Sequence, residues 1–209
     1  IQEAVKHGAI AVVVEDFQEG WDIPQIRVSN SREALASLSD KFYGSPSKAM
    51  KIIGITATNG KTTTSFMTNT ILNNNGFKTG LIGTVVVKYD DYSEPSQLTT
   101  PESLDLHHYF YQMKARNISH VCMEVSSSAL ELNRVGNVDF DIVALNNISR
   151  EHIDLHGSFE RYFNSKASLI RNAKPNQWVI LNLDCPYAAS LVDETEAKVL
   201  TYGIKNSNG

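Results

Sequence analysis

The sequence has little cysteine, no long apolar run and no excess of basic residues, and each absence excludes a class of protein. Its two cysteines, Cys122 and Cys185, lie far apart, which excludes a disulfide framework and indicates reduced thiols in a cytoplasmic protein. No apolar run approaches the ~20 residues that cross a bilayer, so we expect no membrane segment. The net charge of −4 and the pI near 5.9 do not indicate a protein that binds nucleic acid, because such proteins usually carry an excess of basic residues.

What remains is the composition of an ordinary globular protein, with 42% apolar and 20% charged residues. The best linker candidate is the turn at residues 44–47 (GSPS). We therefore assign residues 1–48 to the end of a smaller α/β domain and residues 49–209 to a central domain that is incomplete at its end. Because the chain does not begin with methionine, we expect it to be part of a longer protein. We also expect a monomer.

Strands and helices alternate along the chain, which is typical of a doubly wound, mostly parallel α/β sheet. Apolar, β-branched runs predict strands near residues 9–14, 25–28, 52–55, 79–87, 120–124, 140–146, 178–183 and 198–202. Helices are predicted at residues 2–7, 32–43, 61–74, 101–117, 158–172 and 186–192. Thr100 is the predicted N-cap of the helix at 101–117, with Pro101 as its first residue. The polar residues 89–98 are predicted to form a surface loop.

Residues 51–64 (KIIGITATNGKTTT) have the layout of a phosphate-binding loop, in which an apolar strand, a small polar turn and a helix follow one another. Backbone N–H groups of the turn and the positive end of the helix dipole attract phosphate. Lys61 then reaches the outer phosphates, and the Thr62 hydroxyl ligates Mg²⁺. The pattern G-x-x-x-x-G-K-[ST] would have glycine where Ile55 stands, and here Gly54 precedes it. A strand–turn–helix with a chance Gly-Lys-Thr is the alternative.

Glu124 stands at the carboxyl end of a predicted buried strand, where open α/β sheets bind ligands. A carboxylate there is placed to hold Mg²⁺ across from the phosphate loop, either directly or through water. The hydroxyls of Ser126, Ser127 and Ser128 follow it and can bind an anionic or sugar substrate. The alternative is a solvated carboxylate at a strand end.

Residues 146–156 (NNISREHIDLH) follow another apolar strand and concentrate His152, Asp154 and His156. A zinc site needs about four ligands, and no further cysteine or histidine stands at the usual spacing, so mononuclear zinc is the weaker hypothesis. The stronger one makes His152 a ligand or neighbour of Mg²⁺ or Mn²⁺. Ordinary hydrogen bonding and capping is the alternative.

Lys166 falls on the apolar stripe of the helix at 158–172, three residues after Phe163 and three before Leu169. A bare ammonium is expensive to bury, so this lysine must reach solvent, pair with a charge or lose its own charge. Burial lowers the pKa of a lysine and frees the amine for chemistry. A side chain that reaches solvent remains the alternative.

Five segments, taken in order, resemble the Mur ligases, most closely the branch that makes UDP-N-acetylmuramoyl-tripeptide (MurE). They are residues 54–64 (GITATNGKTTT), 99–102 (TTPE), 123–130 (MEVSSSAL), 147–157 (NISREHIDLHG) and 162–166 (YFNSK). Residues 1–48 are similar to the end of the family's UDP-binding domain. The resemblance implies the Mur ligase central domain, with its phosphate loop on a doubly wound sheet.

The resemblance also implies an ATP-dependent amide ligase of peptidoglycan precursor synthesis. In such enzymes, ATP phosphorylates the carboxylate of UDP-MurNAc-L-Ala-D-Glu to an acyl phosphate. The amine of a diamino acid, L-lysine or meso-diaminopimelate, then attacks the acyl phosphate. The choice between them lies in the family's C-terminal domain, which we expect to be missing here, so we expect the chain alone not to ligate.

By position, the resemblance assigns roles to several residues. Nucleotide binding falls to Ala57, Thr58, Asn59, Gly60, Lys61, Thr62, Thr63 and Asn147. Two Mg²⁺ ions are implied, one on Thr62 and Glu124 and one served by His152 and by Lys166 as a carbamate formed with CO₂. The catalytic residues are then Lys61, His152 and Lys166. The UDP-MurNAc-peptide is assigned to Thr99, Thr100, Ser126 and Arg134.

Two positions depart from the family, which usually has glycine where Ala57 stands and histidine where Ser128 stands. These departures leave open the alternative that the chain is a divergent relative, such as a folylpolyglutamate or cyanophycin synthetase. The segments at 99–101 and 124–127 favour the tripeptide branch. A nucleotide-binding module without catalysis is a further alternative, against which the intact Lys61 and Lys166 count. A GTPase-like switch lacks its Asn-Lys-x-Asp element.

Overall fold

The computed structural model describes residues 1–149 and 157–205. Its helices are α1 (Gln2–Lys6), α2 (Ser31–Phe42), α3 (Lys61–Asn74), α4 (Ser103–Ala115), α5 (Ser127–Glu131), α6 (Phe159–Arg171) and α7 (Pro186–Ala189). Its strands are β1 (Val12–Val14), β2 (Gln25–Arg27), β3 (Lys51–Thr56), β4 (Thr79–Ile82), β5 (Val86–Tyr89), β6 (Tyr92–Pro95), β7 (His120–Glu124), β8 (Ile142–Leu145), β9 (Trp178–Asn182) and β10 (Lys198–Tyr202).

An eight-stranded sheet in the order β10-β9-β8-β3-β7-β4-β5-β6 forms the centre of the structure. The strands from β10 to β4 in that order run parallel, and β5 and β6 are antiparallel additions at one edge. This topology confirms the predicted α/β sheet. The register pairs Ile55 of β3 with Glu124 of β7 and Thr56 with Leu145 of β8, so the carboxyl ends of these strands meet at one edge.

The central strand β3 is buried on both faces because successive side chains point to opposite sides of the sheet. Ile52 belongs to the larger apolar cluster, which also contains residues of α4 and α6. Ile53 and Ile55 belong to a smaller cluster with Cys122, against which Leu72 of α3 packs. Helices therefore cover both faces of the sheet, and β3 delivers the phosphate loop from the centre of the core.

The predicted strand at residues 79–87 is confirmed only in part, and the predicted loop at 89–98 was wrong because it contains β6. β4 ends at Ile82, and after a break the chain forms an antiparallel hairpin of β5 and β6. Asp90 makes the hairpin turn with a positive φ of 49°, and Tyr89 stacks on Tyr92 across it. The polar sequence of β6 is typical of a loop and did not predict a strand. Its stability comes instead from pairing with a neighbouring strand and from aromatic contact.

The predicted start of the helix at residue 101 was also wrong, since α4 begins at Ser103 with Glu102 as its N-cap. Thr100 cannot cap the helix because its hydroxyl donates to the Glu124 carbonyl oxygen at 2.9 Å. The same hydroxyl accepts the Ser126 N–H at 3.1 Å. A tertiary contact thus replaces the local cap.

The helix α2 packs against α4 and the turn that follows α5. Asn137 donates its amide to the Ser37 hydroxyl at 2.9 Å. The fully buried His107 ring donates its Nε2–H to the Gly136 carbonyl oxygen at 3.1 Å, and its Nδ1 lies 3.8 Å from Asp40 Oδ1. Burial lowers the pKa of His107 more than the Gly136 contact and Asp40 raise it, which favours the neutral ring. The domain boundary at residue 48 stays a prediction.

Both cysteines are free and buried, as predicted. Burial raises the pKa of the Cys122 thiol to about 12, which makes it unreactive. Among the helices that the structure describes, none is long and apolar enough to cross a bilayer.

Candidate nucleotide site at the carboxyl edge of the sheet

The phosphate loop connects the buried end of β3 to the first turn of α3. Gly60 is the N-cap of α3 and has a φ of +88°, a backbone conformation that residues other than glycine rarely adopt. The N–H groups of the first helical turn have no partner within the helix, so the helix end can attract an anion. The loop therefore has the predicted architecture, and Gly60 is the glycine on which its turn depends.

Asn147, which follows β8, holds the loop in position. Its carbonyl oxygen accepts the Thr58 N–H at 2.9 Å, and its Oδ1 accepts the Asn59 N–H at 3.0 Å. Its Nδ2 donates to the Asn59 carbonyl oxygen at 2.8 Å. The structure thus brings together Thr58, Asn59 and Asn147, three of the residues that the resemblance assigns to nucleotide binding.

A buried tyrosine joins the same loop to α6. The Tyr162 hydroxyl lies 2.8 Å from the Thr58 hydroxyl, which also accepts the Ser149 N–H at 2.9 Å. Tyr162 is 1% exposed and stands one helical turn before Lys166. The lysine Nζ lies 4.9 Å from the centre of its ring. Tyr162 therefore fixes the distance between the phosphate loop and Lys166.

Lys61 and Lys166 converge on one carbonyl oxygen, that of Ala57, to which they donate at 3.0 and 2.9 Å. Lys166 is 2% exposed, which confirms that the stripe buries it. Burial first, and the positive charge of Lys61 second, lower the pKa of Lys166 to about 7. A large fraction of this amine is therefore uncharged and nucleophilic near neutral pH.

Glu124 is fully buried, and hydroxyl and N–H donors surround its carboxylate. Thr62 Oγ1 donates to Oε2 at 3.0 Å. Thr84, in the break after β4, donates its N–H to Oε1 at 2.8 Å and its hydroxyl to Oε2 at 3.0 Å. A Cβ at Gly83 would lie only 2.2 Å from Oε1, so the chain approaches the carboxylate this closely only because this residue is glycine.

The paired oxygens of Thr62 and Glu124 fit Mg²⁺, which prefers hard oxygen ligands and commonly takes one or two carboxylates together with phosphates. Within residues 1–149 and 157–205 no group of three His, Cys, Asp or Glu side chains could hold a metal. His152 lies outside the described residues. Its role as a second metal ligand stays a prediction.

The four residues predicted to bind substrate are linked to Glu124 through a series of contacts. The Thr99 hydroxyl is 3.1 Å from the Thr84 hydroxyl. Thr100 is fully buried between the Glu124 backbone and Ser126, and Arg134 Nη1 lies 3.4 Å from the Thr100 carbonyl oxygen. The structure brings all four together, and their contact with a substrate stays a prediction.

The two departures from the family pattern have a structural setting. Ala57 is fully buried, and its backbone lies outside the left-handed region, so its methyl group imposes no backbone strain. The Ser128 hydroxyl lies 3.1 Å from that of Ser126, whose oxygen accepts the Ala129 N–H. Gly54 serves packing, because a Cβ there would lie 2.6 Å from the Phe140 ring.

Sequence reasoning missed Thr84 and Tyr162. Thr84 lies just beyond the carboxyl end of β4, and Glu124 was predicted to bind a ligand because of its own position at a strand end. Thr84 was missed because the strand was predicted to continue through it. Tyr162 belongs to the segment at 162–166 that resembles the Mur ligases, but no role was predicted for its hydroxyl, because nothing in the local sequence indicates the contact with Thr58.

Comparison with known proteins agrees with this geometry. Residues 55–209 match the Mur ligase middle domain. The chain belongs to the Mur ligase family. It is 40% identical over 207 residues to the UDP-N-acetylmuramoyl-L-alanyl-D-glutamate–2,6-diaminopimelate ligase of Caldanaerobacter subterraneus subsp. tengcongensis, a match that covers 99% of this chain and 42% of that relative.

Solved structures of Mur ligases share the fold. A structure of a UDP-N-acetylmuramoyl-L-alanyl-D-glutamate–2,6-diaminopimelate ligase superposes with a TM-score of 0.87 at 24% identity, covering 100% of this chain and 43% of that one. The MurF ligase of Thermotoga maritima in complex with ADP gives a TM-score of 0.60 at 21% identity, with 98% of this chain and 44% of that one covered. This Mur ligase chain thus spans less than half the length of these three relatives.

Proposed function

We propose that the full-length protein to which this chain belongs is an ATP-dependent amide ligase. It adds a diamino acid to UDP-MurNAc-L-Ala-D-Glu through an acyl phosphate in the cytoplasmic synthesis of peptidoglycan precursors, and it acts as a monomer. The printed name of the relative from Caldanaerobacter favours 2,6-diaminopimelate over L-lysine. The observation that carries the proposal is the meeting of the phosphate loop, the Thr62–Glu124 pair and the buried Lys166 at one sheet edge.

In this proposal, the phosphate loop and Lys61 hold the β- and γ-phosphates of ATP. Lys61 leaves the Ala57 carbonyl oxygen to do so, because its amine donates there now. Thr62 and Glu124 would hold one Mg²⁺, and His152 and carbamylated Lys166 would hold a second. The two ions supply charge neutralisation for phosphoryl transfer, and the N–H groups of α3 add to it.

The substrate carboxylate attacks the γ-phosphorus, and the bond to ADP breaks. The amine of the diamino acid then attacks the acyl carbon, phosphate leaves, and the nitrogen loses a proton. Thr99, Thr100, Ser126 and Arg134 orient the UDP-MurNAc-peptide for the first of these steps. Their position around Glu124 supports this role, since reacting groups must be held in line with the phosphates.

The carbamate on Lys166 explains why the protein buries a lysine in its core. The amine has a pKa of about 7, so it reacts with CO₂ as a neutral nucleophile. A bond forms between the nitrogen and the carbon of CO₂, and the nitrogen releases one proton to solvent. The product is an anion, which Lys61 stabilises in place of the repulsion it exerts on the ammonium.

The test is ADP release by the full-length protein with ATP, UDP-MurNAc-L-Ala-D-Glu and 2,6-diaminopimelate. We expect release that requires both co-substrates, and we expect Lys61→Ala to reduce it by at least about a hundredfold because the γ-phosphate loses its cation. Release that instead requires a folate or another acid would assign the protein to another branch of the family. No substrate-dependent release at all would leave only nucleotide binding.

A further inference from the structure

The guanidinium of Arg134, in the turn after α5, is largely buried, but not all of its N–H donors have hydrogen-bond partners. The side chain is 12% exposed, and Nη2 lies 2.9 Å from Glu102 Oε1. Within the described part of the chain, Nη1 makes only the 3.4 Å contact with the Thr100 carbonyl oxygen. Nε is buried and has no hydrogen-bond partner among the described residues. Arg134 is therefore held in one orientation with donor capacity left over.

Glu102 bridges this arginine to a second one. It is the N-cap residue of α4, yet its side chain makes no capping hydrogen bond. Its Oε2 instead accepts Arg32 Nη1, from the first turn of α2, at 3.1 Å. One carboxylate thus spans two arginines from distant parts of the chain, and the three side chains together carry a net charge of +1.

α2 is also fixed to the turn that carries Arg134. Asn137 of that turn donates to Ser37 of α2 at 2.9 Å. A Cβ on Gly136 would lie 2.8 Å from the Ala36 Cβ, so the helix and the turn touch. Arg32 thus ties α2 to Glu102, and this contact ties α2 to the turn that carries Arg134.

We propose that Glu102 is a positioning residue that aims Arg134 at an anionic group of the UDP-MurNAc-peptide, and that Arg32 acts on Arg134 only through Glu102. This inference rests on the proposed function, which assigns Arg134 to that substrate. Glu102 fixes the guanidinium before the substrate arrives, so less side-chain freedom is lost on binding. Arg32 offsets the negative charge of Glu102, which would otherwise repel the substrate.

The test is the Kd of the full-length protein for UDP-MurNAc-L-Ala-D-Glu and, separately, for ATP, by titration calorimetry. We expect Glu102→Gln to raise the Kd for the UDP-MurNAc-peptide about fivefold, as for a partly exposed charge pair, and to leave the Kd for ATP unchanged. Glu194→Gln is the matched control, because Glu194 pairs with Arg171 on the surface at 2.6 Å. It should change neither constant.

A double-mutant cycle tests the role of Arg32. We expect Arg32→Gln to raise the same Kd less than Glu102→Gln, and the double variant to equal Glu102→Gln alone. Additive effects of the two substitutions would contradict the proposal that Arg32 acts on Arg134 only through Glu102. An unchanged Kd in Glu102→Gln would overturn the positioning role, and a lower Kd would show that Glu102 competes with the substrate.

The variant Arg134→Gln separates this inference from the proposed function. If it weakens binding of the UDP-MurNAc-peptide and Glu102→Gln does not, the positioning role fails and the substrate assignment stands. If Arg134→Gln has no effect either, both the substrate role of Arg134 and the inference fail. Absence of ADP release by the wild type, with these Kd shifts intact, would count against the ligase proposal alone.

Discussion

At the scale of single residues, Lys166 carries the most information. Its position on an apolar stripe predicted burial, and the structure leaves it 2% exposed beside a second lysine. Neither the shared Ala57 carbonyl nor the repulsion from Lys61 could be predicted from sequence, because both depend on how α6 packs against the phosphate loop. The sequence identified the anomaly, and tertiary packing supplied its cause.

The lowered pKa of Lys166 predicts a specific pH dependence of stability. Between its ordinary value of 10.5 and the folded value of about 7, the unfolded chain binds a proton that the folded chain does not. The free energy of unfolding should therefore rise with pH across this window, by up to about 1.4 kcal/mol per pH unit. In CO₂-free buffer, denaturant unfolding at pH 7.5 and 9.5 should show this rise in the wild type and lose it in Lys166→Met.

The exposed Lys174 offers the control, since Lys174→Met should keep the wild-type slope. Adding bicarbonate at pH 8 should stabilise the wild type and leave Lys166→Met unchanged, because CO₂ binds only the folded, neutral amine. Equal slopes in the wild type and Lys166→Met would refute the burial argument. If the wild type and Lys166→Met differ in the pH slope of the free energy of unfolding but bicarbonate has no effect, the carbamate hypothesis is wrong.

At the scale of elements, the ends of the strands set the chemistry. β3, β4 and β7 end beside one another and deliver Lys61, Thr84 and Glu124 to a common edge. The ends of β3 and β7 could be predicted, because apolar runs stop there at polar residues. The end of β4 could not, because Val85 to Val87 continue the β-branched pattern beyond the break at Gly83 and Thr84.

Two crowded glycines allow a matched test of this edge. A Cβ at Gly83 would lie 2.2 Å from Glu124 Oε1, and a Cβ at Gly54 would lie 2.6 Å from Phe140. We expect Gly83→Ala to displace the carboxylate and weaken Mg²⁺-dependent ATP binding about tenfold, as for loss of a group that orients a metal ligand. Gly54→Ala should lower the free energy of unfolding by about 1–3 kcal/mol through overpacking, with ATP affinity kept.

Calorimetric titration of ATP with and without Mg²⁺, together with denaturant unfolding, distinguishes the two effects. If Gly83→Ala binds ATP as the wild type does while Gly54→Ala is destabilised, Glu124 does not hold the metal. If both variants lose affinity equally, the loss comes from general distortion of the sheet.

At the scale of the whole molecule, the parallel topology explains why distant segments form one site. Residues separated by more than a hundred positions, such as Thr56 and Lys166, come within hydrogen-bond distance because α6 packs against the end of β3. Regular alternation of strands and helices predicted this sheet. The antiparallel hairpin and the Arg32–Glu102–Arg134 link escaped prediction, because their partners are chosen by packing between elements.

The most direct test of the central claim follows an oxygen atom through the reaction. The full-length protein would be given ATP, 2,6-diaminopimelate and UDP-MurNAc-L-Ala-D-Glu with ¹⁸O in its glutamate carboxylates. If the carboxylate is activated as an acyl phosphate, mass spectrometry will find one ¹⁸O atom in each inorganic phosphate released. Phosphate without ¹⁸O, formed at the same rate as the amide product, would contradict the mechanism.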